Sequence, residues 1–234
     1  MTSFFNRLAR HRARDLPESL RKQTTLKKRL DYRTSPAETL FVAFDTELTG
    51  LDFKNDSIVS IGAVKLQGGR ILPAKTFYRL AQPDSKLKHQ SVVVHEITHS
   101  DLEKASALPE VLEEFIEFID DGVLIGHFVH IDLTFVNRAL KKTFGCTLKN
   151  PAVDTSTLDD WLSENSSHMA RHFHGKTLKT DLFSLANKYD ITVGKAHNAF
   201  EDAYVTAQLF QRFIRFLPPC GVHTLKELLA VSRP

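Results

Sequence analysis

The chain has 234 residues, 42% hydrophobic and 25% charged, with a formal net charge of +3. That balance suits a soluble globular domain of ordinary size, alone or with appendages. No run of 18 apolar residues is present to cross a membrane, and no apolar signal segment follows the basic start. Cys146 and Cys220 alone make no disulfide framework, so a reducing, cytoplasmic setting is expected.

The charge is unevenly placed. Residues 1–37 carry ten Lys/Arg against three Asp/Glu, while the remaining chain has a net charge of −4. The first stretch therefore reads as a basic N-terminal arm suited to nucleic-acid phosphates or an acidic partner. A solvated, partly helical extension explains it equally well. Residues 38–234 read as one domain ending in a short helix.

LFVAFD at residues 40–45 is a short apolar strand, and SIVSIGAVKL at 57–66 is a second. After the QGGR turn, ILPAKTFYRL returns as a third, with Pro73 favouring an edge or an irregular start. Residues 108–120 then switch to helical spacing, with Leu108, Val111, Leu112, Phe115, Ile116 and Ile119 on one face. DDGVLIGH (120–127) is a short buried strand, followed by a helix from Asp132. PAVDTSTLDDWL repeats the strand-to-helix pattern, and LKTDLFSLANKYD is another helix. Residues 198–217 form a long helix closed by Pro218 and Pro219, and VHTLKELLAV forms the last. A three-stranded antiparallel meander followed by strand–helix alternation predicts an α/β domain, with a mixed central sheet flanked by helices.

Two carboxylates, Asp45 and Glu47, close the first strand. Their i, i+2 spacing places them on one sheet face if the strand persists, and Gly50 permits the chain to turn away. Asp132 follows the VLIGH strand, and Asp202 lies near the start of the long helix, five residues after His197. In an open α/β sheet, strand C-termini and the helix starts that follow them share one crevice. Each acid alone is ordinary; Asp-x-Glu recurs at Asp101–Glu103, where it reads as a helix start.

Crowded carboxylates need cations, and an all-oxygen donor set favours Mg²⁺ or Mn²⁺. Two ions about 4 Å apart suit phosphodiester hydrolysis. Asp45 is the natural bridging ligand; Glu47 and Asp202 complete one shell, and Asp132 serves the other. Neutral His197 has the chemistry of a general base.

FDTELTG, GHFVHIDLTFVNR and HNAFEDA together resemble the three motifs of the DEDD 3′–5′ exonucleases of the DnaQ-like group, in its histidine-containing branch. VHEITHSDL (94–102) also resembles the V-H-G-I-T linker of that family. The resemblance implies a ribonuclease H-like sheet, two metal ions held by Asp45, Glu47, Asp132 and Asp202, and His197 as general base. It gives Glu47 a second contact, to the terminal 3′ hydroxyl, and sets Thr46 and Leu51 around the last nucleotide. Leu48 stands where the family motif has Thr; Phe128 and Ile131 stand where it has Asn and Phe. These departures bear on substrate contacts. Phe128 is open to base stacking or to core packing.

Other motifs read more plainly. Asp154 is an N-cap for the helix beginning at Ser156. His130 is an ordinary helix-start residue, and His168, His172 and His174 belong to a loop without a zinc site. QLFQRF (208–213) is core. The expected activity is release of nucleoside 5′-monophosphates from a single-stranded or frayed 3′ end, with DNA favoured in proofreading or repair. An RNA-trimming enzyme of the same fold is the alternative, and a non-catalytic nucleic-acid or polymerase-binding module a third. The expected partners are that 3′ end and, through the basic arm, a polymerase or replication complex.

Overall fold

The computed structural model describes residues 17–23, 26–83, 95–166, 180–194 and 197–234. Two short helices, α1 (Glu18–Gln23) and α2 (Leu26–Arg29), precede strands β1 (Leu40–Leu48), β2 (Ile58–Gln67) and β3 (Arg70–Gln82). There follow α3 (His99–Glu103), β4 (Ser106–Ala107), α4 (Leu108–Ile119), β5 (Val123–Gly126), α5 (His130–Phe144) and β6 (Ala152–Asp154). Helices α6 (Thr155–Asn165), α7 (Leu182–Lys188), α8 (Ala199–Phe213) and α9 (Leu225–Val231) complete the chain.

The six strands lie in the order β4-β3-β2-β1-β5-β6. β1, β2 and β3 form the antiparallel meander, and β5 and β6 extend β1 in parallel. This is the mixed sheet expected of a ribonuclease H-like exonuclease fold. Pro73 falls in an interruption of β3, where pairing with β2 jumps from Ile71 to Thr76. A residue without an N–H is tolerated where no ladder bond is due.

Several boundaries differ from the sequence expectation. The two-residue edge strand β4 is too short to carry a period. The strand expected over 120–127 is confined to Val123–Gly126, because Asp120 turns the chain with φ 43°. α5 begins at His130, two residues before Asp132; α7 begins at Leu182, with Asp181 as its cap; α8 ends at Phe213, before a turn and the 3₁₀ segment Pro218–Cys220.

Central β1 is buried on both faces and so reads as a continuous apolar run. Its residues nevertheless alternate between two cores. Phe41 and Ala43 pack with α6, α7, α8 and α9, whereas Val42 and Phe44 pack with α4 and α5. Leu209, Phe210 and Phe213 of the QLFQRF stretch are buried in the first core, as expected. Each fully buried Phe contributes on the order of 1.5–3 kcal/mol.

The basic segment is packed against the body over its described part. Leu20 is fully buried in the second core. The Gln23 side chain donates to Asn150 Oδ1 at 2.9 Å and accepts from the Lys149 N–H at 2.9 Å. The carbonyls of Tyr32 and Thr34 accept from the Lys226 and Leu225 N–H groups at the start of α9. Cys146 and Cys220 are free thiols. Among the described residues, no helix is long and apolar enough to cross a membrane.

Candidate active site

The alternation along β1 sends its last residues to different helices. Asp45 and Glu47 share the face of Phe41 and Ala43, which α8 covers; Thr46 shares the face covered by α5. The residue paired across the sheet from Asp45 is Gly62, and the one across from Glu47 is Ser60. Directly paired side chains lie on one face, so small residues there leave room beside both acids.

Gly62 does more than leave room. A Cβ built on it would overlap the carbonyl of Ala199 and the backbone nitrogen of Phe200. Without that methyl, the first turn of α8 rests against the sheet. Asn198 caps this turn, its side chain accepting from the N–H groups of Phe200 and Glu201. Asp202, one turn in, is thereby delivered to Asp45 and Glu47. Each of these three acids places a carboxylate oxygen within 4.8 Å of the others.

Asp132 stands outside that trio. It lies in the first turn of α5, and its Oδ1 accepts both the Thr46 N–H at 2.9 Å and the Thr46 hydroxyl at 2.6 Å. β5 ends at Gly126, so this carboxylate takes up a donor of β1 that β5 no longer reaches. Thr46, expected at the nucleotide, has its buried hydroxyl turned to Asp132 instead.

The electrostatics are those of crowded, desolvated acids. Burial holds the Asp45 carboxyl well above the usual carboxylate range, and the charges of Asp132, Glu47 and Asp202 add to the effect. Burial pushes Glu47 up to about 8, with Asp202 and Asp132 contributing. Asp132 rises to about 7 through burial, against the pull of the Thr46 hydrogen bonds. Asp202 also rises to about 7 through burial, opposed by the backbone N–H of His197. Asp202 Oδ1 is buried and has no hydrogen-bond partner among the described residues. A buried, unpartnered carboxylate oxygen within a cluster of three acids suits a hard divalent cation.

His197 is exposed and holds the left-handed backbone conformation, φ 59°, just before the cap of α8. Its ring and that of Phe183 on α7 are nearly perpendicular, with centroids 5.2 Å apart. α7 is anchored in turn by Lys188, whose ammonium donates to both Asp159 oxygens on α6, at 2.9 and 2.8 Å.

At the neighbouring strand exit, Asp154 caps α6 as expected by accepting from the Ser156 N–H at 2.9 Å. It also accepts from the N–H groups of Phe128 at 3.2 Å and Val129 at 2.9 Å. His127 is fixed through both ring nitrogens, 2.9 Å from Thr155 Oγ1 and 2.8 Å from the Thr180 carbonyl. On the other side of β1, Thr49 and Asp56 close the loop by a 3.0 Å hydrogen bond. The Arg138 guanidinium donates to the carbonyls of Phe53 and Asp56, tying this loop to α5. Leu51, at the loop tip, is 67% exposed. Leu48 is partly buried against the second core.

Three acids from distant segments thus meet at one point of the fold, and comparison with known proteins gives the family. The exonuclease model of the RNase T type matches residues 42–210. The chain belongs to this exonuclease family. The chain is 32% identical over 191 residues to a DNA polymerase III PolC-type protein of Thermotoga maritima, a match covering 82% of this chain and 13% of the relative. It is 29% identical over 190 residues to the DNA polymerase III subunit epsilon of Aquifex aeolicus, covering 81% of this chain and 88% of the relative. The chain therefore spans about an eighth of the PolC-type relative and most of the epsilon subunit. Its fold is shared with E. coli Exonuclease I, solved in complex with a dT13 oligonucleotide. That likeness has a TM-score of 0.64 at 14% identity, covering 78% of this chain and 42% of the other.

The exonuclease motifs did not reveal every residue that shapes the crevice. Gly62 carried a readable signal, since a glycine inside an apolar strand marks a close backbone approach. Glu96, where the family linker has Gly, adopts φ 59°, the conformation a glycine supplies without strain. Phe183 and Arg138 carried no local signal. Residues 1–16 and the histidines 168, 172 and 174 lie outside the described residues.

Proposed function

We propose that this exonuclease is a two-metal enzyme that removes nucleoside 5′-monophosphates from single-stranded or frayed 3′ ends of DNA. The convergence of Asp45, Glu47 and Asp202 within 4.8 Å carries the reading. Asp45, Glu47, Asp132 and Asp202 would hold Mg²⁺ or Mn²⁺, which when bound supply Lewis-acid activation of water and charge neutralisation at the phosphate. Thr46 keeps the Asp132 carboxylate in place by two hydrogen bonds. His197 stands at the start of α8, exposed, where its imidazole takes the proton from the attacking water. Glu47 adds a contact to the terminal 3′ hydroxyl, and Leu48 and exposed Leu51 line the approach of the last nucleotide.

DNA is favoured because the relatives at 32% and 29% identity are named as DNA polymerase III proteins. The same names support a polymerase or replication-complex partner, for which the basic residues 1–37 are the proposed contact. The body beyond residue 37 has a net charge of −4, which argues for short or frayed ends rather than tight duplex binding.

The test is digestion of matched 5′-labelled DNA and RNA oligomers, with and without a terminal mismatch, in Mg²⁺ or Mn²⁺. Stepwise shortening of the labelled DNA from its 3′ end, abolished by Asp45→Ala, is the expected result. Preference for RNA would replace the substrate assignment. No shortening of either polymer would remove the enzymatic one.

A further inference from the structure

The turn between β5 and α5 presents an aromatic ring to solvent on a strained backbone. Phe128 has φ 51°, in the left-handed region that bulky side chains rarely enter. The residue is 36% exposed and belongs to neither apolar core. Packing in the apolar cores therefore does not account for the strain. Such strain persists where the surroundings over-determine the conformation, and it gathers at functional sites.

The surroundings here do over-determine it. Asp154 holds the N–H groups of Phe128 and Val129, and the Phe128 carbonyl accepts from Ile131 N–H at 3.0 Å. A Cβ on Gly126 would collide with the Val129 side chain, so only glycine permits this tight exit from β5. The His127 ring, fixed at both nitrogens, lies 4.5 Å from the Phe128 ring. The place is also specific. β5 pairs in parallel with β1, Ala43 opposite Ile125, so both strands exit at the same edge. Phe128 lies two residues beyond the end of β5 at that edge and precedes Asp132 by four residues.

We infer that Phe128 is a stacking surface for a nucleobase among the last three nucleotides of the strand being degraded. This rests on the exonuclease reading above and adds the contact that holds the strand. A π-face accepts any base, which suits an enzyme that must remove whichever nucleotide comes next. The family motif has Asn at this position. Asn enters the left-handed region at little cost, so its replacement by Phe exchanges backbone ease for an aromatic face.

The test uses the full chain carrying Asp45→Ala, so that oligonucleotide is bound and not consumed. Single-stranded DNA oligomers carry 2-aminopurine at the terminal, second or third position from the 3′ end. Binding is followed by anisotropy and stacking by fluorescence quenching. Quenching at one or more positions, lost with added Phe128→Asn and kept with Phe128→Trp, is the expected result. In the otherwise wild-type enzyme, Phe128→Asn raises KM for oligonucleotide roughly 5- to 100-fold, with kcat changed less than about twofold. Its Tm equals or exceeds that of wild type, because the strain is relieved. Equal quenching with and without the Phe128 ring at all three positions overturns the inference, as does a clear fall in Tm with KM unchanged. Failure of the Asp45→Ala protein to bind any oligomer, together with inactivity of the wild type, overturns the exonuclease reading itself.

Discussion

Thr46 donates twice to one oxygen of Asp132, through its N–H at 2.9 Å and its hydroxyl at 2.6 Å. The hydrogen bonds favour the ionised carboxylate and oppose the upward push of burial, which leaves Asp132 at about 7. Thr46→Val keeps the shape and the backbone bond but removes the hydroxyl. Asp132 then titrates higher, and the acid limb of the pH–rate profile moves to higher pH. Activity at about pH 7 falls several-fold and recovers as pH is raised, because the lost interaction favoured the ionised form. A pH profile of kcat/KM checks this; an unchanged acid limb would refute it.

Gly62 supports the first turn of α8 by what it lacks. In Gly62→Ala the added methyl meets the backbone of Ala199 and Phe200, not a flexible side chain. The helix must move, and Asp202 moves with it. Overpacking of this kind costs about 1–3 kcal/mol, seen as a lower denaturation midpoint. Mn²⁺ affinity should fall further than stability does, since three ligands share a space of 4.8 Å. Titration calorimetry beside denaturant unfolding separates the two effects; full Mn²⁺ affinity in the variant would count against Asp202 as a ligand.

The acids also set how the metal-free protein responds to pH. Glu47 titrates at about 8 and Asp132 and Asp202 at about 7, all above the unfolded carboxylate range near 4. The folded state therefore binds more protons than the unfolded state between about pH 4 and 8. The contribution of these groups to stability is fully present at the acid end of that window and is lost as pH rises through their folded values. With chelator present, Tm is expected to fall as pH is raised from about 5 to 8. Added Mg²⁺ or Mn²⁺ should restore it, by more at about pH 8 than at about pH 6, because protons compete for the same oxygens. Thermal scans with and without metal across this range are decisive. A metal increment independent of pH would be incompatible with carboxylate ligands of these properties.

Asp154 joins two motifs. Asp154→Ala removes the cap of α6 and leaves the buried Val129 N–H without its acceptor. The combined cost is about 2–4 kcal/mol. Asp154→Asn should recover part of the cap and one of the two turn contacts. Urea midpoints of wild type and the two variants test the ordering; an Asp154→Asn midpoint equal to that of wild type would show that the second carboxylate oxygen contributes nothing.

Much of this protein follows from local pattern. Phe41–Phe44 is an apolar run of the kind a doubly covered strand requires, and the two-residue period of β1 places Asp45 and Glu47 on one face. The helical spacing of Val111, Leu112, Phe115, Ile116 and Ile119 marks α4, and Asp154 is recognisable as a cap because its acceptor bond spans two residues. The exonuclease motifs around Asp45, Asp132 and Asp202 were legible for the same reason, since each sits within a short strand-exit or helix-start signature. Tertiary structure decided what joins distant segments. Gly62 meets Ala199 across 137 positions, Thr46 reaches Asp132 across 86, and Arg138 ties down a loop more than 80 residues earlier. Those contacts depend on where α5 and α8 cross the sheet, and helix placement is set by packing of two cores that no local window contains. Sequence alone therefore determined which acids are present and where each begins its element. The depth of their burial and which three share a point came from the packing of helix against strand.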